Sequence, residues 1–227
     1  YEKMNGEGFK SSAYNKAVIA LQQMKDNSEL TPDNLLKIKG IGQKIVDKVT
    51  CIVQTGTCPL YDKIKDNKDP KQEFMKIHGV GPKKASELVK LGFTSIQDLR
   101  NSDSIQNYLN DTQIKSLPYV EQLEMRIPYE TIQLHETYLK QVLSEIDSTA
   151  ELTIAGSYRR KCKDSGDIDV LLKTPSVKTS RIYKQFIEKL VNDGYMIESL
   201  SMGSKKFMGI CQEKGGFAKR IDIMYTK

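Results

Sequence analysis

The segment Gly156-Ser157-Tyr158-Arg159-Arg160-Lys161-Cys162-Lys163-Asp164-Ser165-Gly166-Asp167-Ile168-Asp169-Val170-Leu171-Leu172 constrains this chain more than any other. It opens on Gly-Ser, passes through a basic stretch, returns as Gly-Asp-Ile-Asp and ends in an apolar run. Val170, Leu171 and Leu172 predict a buried strand, and Leu152-Thr153-Ile154-Ala155 a strand entering the same region. Side chains alternate along a strand, so Asp167 and Asp169 share a face. Two adjacent carboxylates repel unless positive charge lies between them, and hard carboxylate oxygens suit magnesium. Gly156-Ser157 offers open backbone N–H groups and a hydroxyl, while Arg159 and Arg160 offer positive charge; both suit a phosphate chain. Metal-held carboxylates beside a phosphate cradle fit phosphoryl or nucleotidyl transfer. A lone Asp-x-Asp is ordinarily a surface hairpin whose acids and bases pair with each other. The apolar flank, the Gly-Ser and a third acid downstream weigh against that here. The third acid is Asp222, in Arg220-Ile221-Asp222-Ile223, where alternation turns it away from its two apolar neighbours. If its strand lies beside that of Asp169, three carboxylates converge.

An internal repeat organises the amino-terminal half. Lys37-Ile38-Lys39-Gly40-Ile41-Gly42-Gln43-Lys44 recurs as Lys76-Ile77-His78-Gly79-Val80-Gly81-Pro82-Lys83, each copy followed by an apolar helical pattern. The apolar–Gly–apolar–Gly core predicts a tight hairpin between two helices. Its glycines let a phosphate approach the backbone, at the start of a helix whose first N–H groups are free. Lys44, Lys83 and Lys84 add charge. One such turn is weak evidence; two, both followed by lysine, are much stronger.

Elsewhere the chain alternates between helical and polar stretches. A helix is expected from about Asn15 to Met24, broken at Asp26-Asn27-Ser28, and another from Thr31-Pro32-Asp33 with Thr31 as N-cap. Asp66-Asn67-Lys68-Asp69-Pro70 marks a boundary between the hairpin units. Thr94-Ser95-Ile96 opens a further helix, and Ile132, Leu139, Val142, Leu143 and Ile146 form a core-facing stripe. Near Ala150 the pattern turns strand-like. An amphipathic helix follows from Ile182 to Val191, then strands near Met196–Leu200, Lys206–Gln212 and Lys219–Tyr225. The fold class is α+β and multidomain, with helical amino-terminal domains and a carboxy-terminal sheet.

Composition narrows the partners. Hydrophobic content of 38% and charged content of 28% over 227 residues are those of an ordinary folded protein, and the net charge of +6 suits a polyanion. No run is apolar and long enough to cross a bilayer, and no signal-like segment is read near the start. Cys51, Cys58, Cys162 and Cys211 lack Cys-x-x-Cys spacing, so reduced thiols in an intracellular protein are expected rather than a zinc site. His78 and His135 are isolated in sequence and read as satisfied or exposed.

The stretch from Gly156-Ser157 through Gly166-Asp167-Ile168-Asp169 resembles the nucleotidyltransferase signature of family X DNA polymerases, the DNA polymerase beta family. The repeat resembles the helix-hairpin-helix motifs that grip DNA backbone without reading sequence. Together they cover nearly all 227 residues. The resemblance implies a helical lyase-like domain at 1–65, a helical DNA-binding subdomain at 66–128 and a nucleotidyltransferase palm at 129–227, its mixed sheet covered by helices. It implies two Mg2+ ions, with Mn2+ able to substitute, bridged by Asp167 and Asp169. Asp222 would bind the catalytic ion and help accept the proton of a primer 3′-hydroxyl. Ser157, Arg160, Gly166 and Arg126 would contact the triphosphate of a deoxynucleoside triphosphate, and Lys206 the template–primer. Gly40, Gly42, Gly79, Gly81, Lys44 and Lys83 would hold gapped or nicked duplex DNA, with Na+ or K+ at the hairpins.

A second activity is implied at the amino terminus. Lys44 and Lys48 are four residues apart on one helix face, where crowded ammonium groups favour the free amine a nucleophile needs. Lys48 matches the lysine that forms a Schiff base with an abasic sugar and releases 5′-deoxyribose phosphate. Lys44 would bind the 5′-phosphate, and Tyr14 and Lys10 match further DNA contacts. Three departures stand out: Lys161 replaces a usual glycine, Met224 a frequent arginine, and Phe9 a residue that commonly stacks on template bases. A start at Tyr1 and a stop just after a strand are expected of a fragment lacking the family's carboxy-terminal thumb, one that polymerises poorly. A monomer is expected, nuclear in a eukaryote and otherwise cytoplasmic or viral. Two other readings are a gapped-DNA-binding or lyase-only module without polymerase turnover, and a template-independent nucleotidyltransferase.

Overall fold

The computed structural model describes residues 8–24, 30–59, 61–62, 69–174 and 179–226. The expected breaks at Asp26-Asn27-Ser28 and Asp66-Asn67-Lys68 lie outside these residues. The chain divides into two compact units. One comprises the described residues up to Met75 together with Val80–Ile96; the other comprises Lys76–Gly79 and the described residues from Gln97 onward.

The first unit is helical. Helix α1 spans Gly8–Gln22, α2 Pro32–Leu36 and α3 Gln43–Thr55. Helix α1 begins seven residues before the position that periodicity predicts. Its first turns carry no buried apolar stripe, whereas Ala17, Ala20, Leu21 and Met24 pack on Leu35, Ile41 and Val46. Thr31 caps α2 by accepting from the Asn34 N–H, and Pro32 occupies the first turn. The α2–α3 turn passes through Gly40 at φ +95, a left-handed conformation that suits glycine. Helix α4 (Pro70–Phe74) and α5 (Pro82–Lys90) form the second hairpin, with Gly79 at φ +83 in the equivalent place. Gly42 and Gly81 are the extended N-caps of α3 and α5.

The second unit is α+β. Short helices α6 (Ile96–Arg100, whose first residue belongs to the first unit), α7 (Asp111–Ser116) and α8 (Val120–Leu123) lead to strand β1 (Ile127–Pro128) and the long helix α9 (Tyr129–Ile146). Then come β2 (Glu151–Ile154), the single-turn helix α10 (Gly156–Arg159), β3 (Asp164–Ser165) and β4 (Ile168–Lys173). Helix α11 (Thr179–Asn192) and strands β5 (Met196–Met202), β6 (Lys206–Cys211) and β7 (Lys219–Thr226) complete it. Strand order is β2-β4-β7-β6-β5, with β4 and β7 parallel and the other pairs antiparallel. The sheet is therefore mixed.

Alternation sorts the two faces of that sheet. Ile168, Val170 and Leu172 of β4 and Ile221 and Ile223 of β7 are fully buried against Leu139, Val142 and Leu143 of α9 and Phe186 and Leu190 of α11. The residues between them, including Asp169 and Asp222, face the other way and are only partly covered. Burying one face thus delivers the acids to the opposite one.

Candidate functional site

Register brings the acids together. In the parallel β4–β7 pair Asp169 lies directly opposite Asp222, and Asp167 precedes β4 by one residue. Burial raises the pKa of Asp169 first, and the charges of Asp167 and Asp222 raise it further. Two basic groups answer that crowding. Arg220 donates through Nη2 to Oδ2 of Asp167, and Lys206 Nζ lies 2.8 Å from Oδ2 of Asp222. Lys206 reaches it because β6 pairs antiparallel with β7.

Among the described residues no group of three or more His, Cys, Asp or Glu is arranged to hold a metal ion. Asp167 and Asp222 are each turned onto a basic partner. In donor chemistry the three acids do fit a hard divalent cation: all are carboxylates, two are in register, and the third shares the charge strain at Asp169. A cation there would compete with Lys206 for Asp222.

Gly156 closes over this cluster. It adopts φ +57, and a Cβ on it would stand 2.1 Å from Oδ2 of Asp169. The Ala155 N–H donates to the Asp169 carbonyl at 2.7 Å, which fixes the approach. Gly156→Ala is expected to lower any activity of the acidic cluster about 100-fold, because a shift near 1 Å costs that much. It should also cost about 1–2 kcal/mol of stability through the left-handed backbone, read from denaturant unfolding.

The basic loop that follows is anchored, not free. Helix α10 places the Gly-Ser segment in one helical turn. Tyr158 stacks on Tyr129 at 4.5 Å and donates to Glu136 at 2.7 Å, and Ser157 Oγ donates to Ser165 Oγ at 2.7 Å. Arg160 is exposed. Lys161 sits at φ +59, in left-handed backbone that a glycine would occupy without strain. Lys161→Gly is expected to raise stability by about 0.5–1 kcal/mol, since relief of about 1–2 kcal/mol exceeds the entropy cost of glycine, about 0.5–1 kcal/mol. Chemical denaturation would measure it.

Arg126 lies at the edge of the same region. Its Nε donates to Asp164 Oδ1 at 2.8 Å, its Nη2 reaches the same oxygen at 2.7 Å, and a Cβ on Gly166 would be 3.0 Å from its Nη1. The β1–β3 pairing of Ile127 with Ser165 places it there. Arg126, Ser157 and Gly166 are thus brought to one strand pair.

In the first unit, Lys48 of α3 donates through Nζ to the Tyr14 hydroxyl and lies 4.8 Å from the centre of that ring. Lys48 is partly buried; Lys44, Lys10 and Phe9 are exposed. Gly40, Gly42, Gly79, Gly81 and Lys83 lie at the two hairpin turns. Gln113 Nε2 donates to the Gly79 carbonyl at 2.8 Å.

Sequence reasoning assigned no role to Arg220 or His78. Arg220 was findable, since it lies two residues before Asp222 on one strand face. His78 was not: its Nδ1 comes to 3.1 Å from Nη1 of Arg220 only through folding. His135, the other histidine, is fully buried with Nδ1 2.7 Å from the Tyr195 hydroxyl, and burial pushes its pKa down to about 4. The four cysteines are free thiols. Among the described residues no helix is long and apolar enough to cross a membrane.

A mixed sheet with three acids on one face and paired helical hairpins before it describe a nucleotidyltransferase palm preceded by helix-hairpin-helix units. Comparison with known proteins agrees. Residues 126–227 match the DNA polymerase beta palm, 72–124 the fingers domain of DNA polymerase lambda, and 1–58 a helix-hairpin-helix domain. Together these three matches support a family X DNA polymerase. It is 27% identical to DNA polymerase lambda of Arabidopsis thaliana, over 96% of this chain and 43% of that protein. It is 24% identical to DNA polymerase lambda of Rattus norvegicus, over 97% and 39%. Against DNA polymerase IV of Saccharomyces cerevisiae the figures are 23%, 86% and 34%. The chain thus spans less than half the length of these curated relatives.

Proposed function

We propose that this chain fills short DNA gaps by template-directed nucleotidyl transfer and excises 5′-deoxyribose phosphate, as base excision repair requires. The observation that carries the first activity is Asp169 in register with Asp222, beside Asp167, on the open face of the sheet. In this reading Asp167 and Asp169 take two magnesium ions, replaceable by manganese, and Asp222 takes one of them. When bound, such ions stabilise the attacking and leaving oxygens. Asp222 helps accept the proton of the primer 3′-hydroxyl, whose oxygen attacks the α-phosphorus of the deoxynucleoside triphosphate as pyrophosphate leaves. Arg126, Ser157, Arg160 and Gly166 bind the triphosphate. The ion pair between Arg126 and Asp164 is exposed, and such pairs are weak enough to exchange for a phosphate. Lys206 shields Asp222 until a cation or the template–primer takes over that role.

The hairpin residues Gly40, Gly42, Gly79, Gly81, Lys44 and Lys83 hold the backbone of gapped DNA, with Na+ or K+ between carbonyls and phosphate. The working division is a lyase-like domain at 1–65, a DNA-binding subdomain at 66–128 and the palm at 129–227, in an intracellular monomer, nuclear in a eukaryote. The lyase reading has its own support: Lys48 and Tyr14, distant in sequence, meet. The Lys48 amine adds to the C1′ aldehyde and water is lost to give an imine; β-elimination then takes a C2′ proton and breaks the C3′–O bond, leaving a 5′-phosphate on the DNA, and hydrolysis of the imine frees the unsaturated sugar phosphate and returns the amine. Tyr14 orients that amine, and Lys10 and Lys44 attract the phosphate.

The test is a one-nucleotide gap carrying 5′-deoxyribose phosphate, with magnesium and the matching nucleotide, and borohydride in a parallel sample. One-nucleotide extension and a trapped protein–DNA adduct are expected. An adduct without extension would leave a lyase alone. Neither product would leave a DNA-binding module. Extension of single-stranded primer as readily as gapped DNA would point instead to template-independent transfer.

A further inference from the structure

We infer that His78 is a positioning residue for Asp167, acting through Arg220, and that this relay sets how tightly the acidic cluster takes a divalent cation. The inference rests on the metal-dependent reading above. His78 Nδ1 lies 3.1 Å from Nη1 of Arg220, whose Nη2 donates to Oδ2 of Asp167. One guanidinium therefore bridges an imidazole and a carboxylate through neighbouring prongs of its planar fork. A guanidinium has donors and no acceptor. Nδ1 of His78 must accept, which leaves the ring proton on Nε2. Burial lowers the pKa of His78 most, and Arg220 and Lys206 lower it while Asp222 opposes them. The neutral ring, the form able to accept, is thus the one present at neutral pH.

The second anchor has a physical purpose. The Arg220–Asp167 pair is about one-third exposed on both sides, at 31% and 32%, and such a pair alone holds a long side chain weakly. Arg220 also shares a strand face with Asp222, a competing acceptor two residues on. With Nη1 fixed on His78, Nη2 stays on Oδ2 of Asp167, and Oδ1 is left to face a cation. Carboxylates that ligate metals depend on outer hydrogen bonds of this kind, and loss of one costs about 10–100-fold in metal affinity or activity.

The chain has two histidines, so nitrogen-15 spectra of the full chain resolve His78 against His135 as an internal control. Expected is an unprotonated Nδ1 and a protonated Nε2 at His78, a pattern that shifts in Arg220→Met while His135 is unmoved. Manganese binding, read from the free-ion paramagnetic signal without DNA or nucleotide, should weaken about 10–100-fold in His78→Phe, which keeps the ring but has no acceptor. His78→Asn, whose Oδ1 falls near the position of Nδ1, should bind manganese close to the unaltered chain. A proton on Nδ1, equal manganese binding in His78→Phe, asparagine no better than phenylalanine, or no manganese binding by the unaltered chain would each overturn the relay. If His78→Phe does not fold, His78→Ala replaces it and the spectra still decide. Neither readout involves DNA, so a chain that fails to extend primers yet shows this pattern loses the polymerase reading and keeps the relay.

Discussion

Asp222→Ala is expected to lower magnesium-dependent extension of a gapped primer by about 10³-fold, or about 4 kcal/mol of transition-state stabilisation, while leaving the fold intact. The two effects separate because different residues carry them. Strand β7 is held by Ile221 and Ile223, both fully buried, and Asp222 points away from that core. Its pair with Lys206 joins a mostly covered carboxylate to a half-exposed amine, 14% and 45%. Its loss costs about 1 kcal/mol or less, partly offset because Asp222 adds to the repulsion at Asp169. Chemistry has no such substitute, since Asp222 is the acid in register with Asp169. Extension kinetics and thermal unfolding of the same protein would check both halves. Borohydride trapping should be unchanged, because Lys48 belongs to the other unit. A chelator should reproduce the phenotype in the unaltered chain. Loss of extension with an equal loss of folded protein would count against the role given to Asp222.

The same separation explains what could be read from sequence. Alternation predicted that Asp222 of β7 turns away from Ile221 and Ile223, because one shift of register would have sent those two into solvent; in β4 the apolar run Val170-Leu171-Leu172 hid the alternation, and Leu171 lies on the partly covered side with Asp169. The Gly-x-Gly repeats were legible because left-handed backbone at Gly40 and Gly79 restricts the residues allowed there. The early start of α1 was illegible, since its first turns bury little and leave no periodicity. So was the tie between Ser157 and Ser165, and the capture of Asp167 and Asp222 by Arg220 and Lys206. Sequence spacing shows which acids are close, but not whether a base from a neighbouring strand reaches them first. His78 is the extreme case: its partner Arg220 lies 142 residues away and no pattern links the two. The resemblance, by contrast, drew attention to Lys161, whose backbone is left-handed, a conformation that suits glycine better than lysine.

Lys48→Ala is expected to abolish the borohydride-trapped adduct with an incised abasic site while leaving gap extension within about threefold, since the acidic cluster is not on this unit. Nucleophile loss is close to all-or-none here, because reduction traps only an imine and an imine needs a primary amine at the sugar. Tyr14→Phe separates two roles of the tyrosine. It keeps the ring that Lys48 overlies at 4.8 Å and removes the hydroxyl to which Lys48 donates. If the hydroxyl orients the amine, trapping should slow about 10–100-fold in Tyr14→Phe, the range seen when a positioning contact is lost, with DNA affinity unchanged. If only the ring matters, Tyr14→Phe should trap as fast as the unaltered chain and Tyr14→Ala should not. Lys44→Ala offers a contrast: an exposed lysine that attracts phosphate should weaken gapped-DNA binding and flatten its salt dependence by about one counterion, with the rate of trapping restored at saturating DNA. A trapped adduct that survives Lys48→Ala would place the nucleophile on another amine and remove the role given to the Lys48–Tyr14 pair.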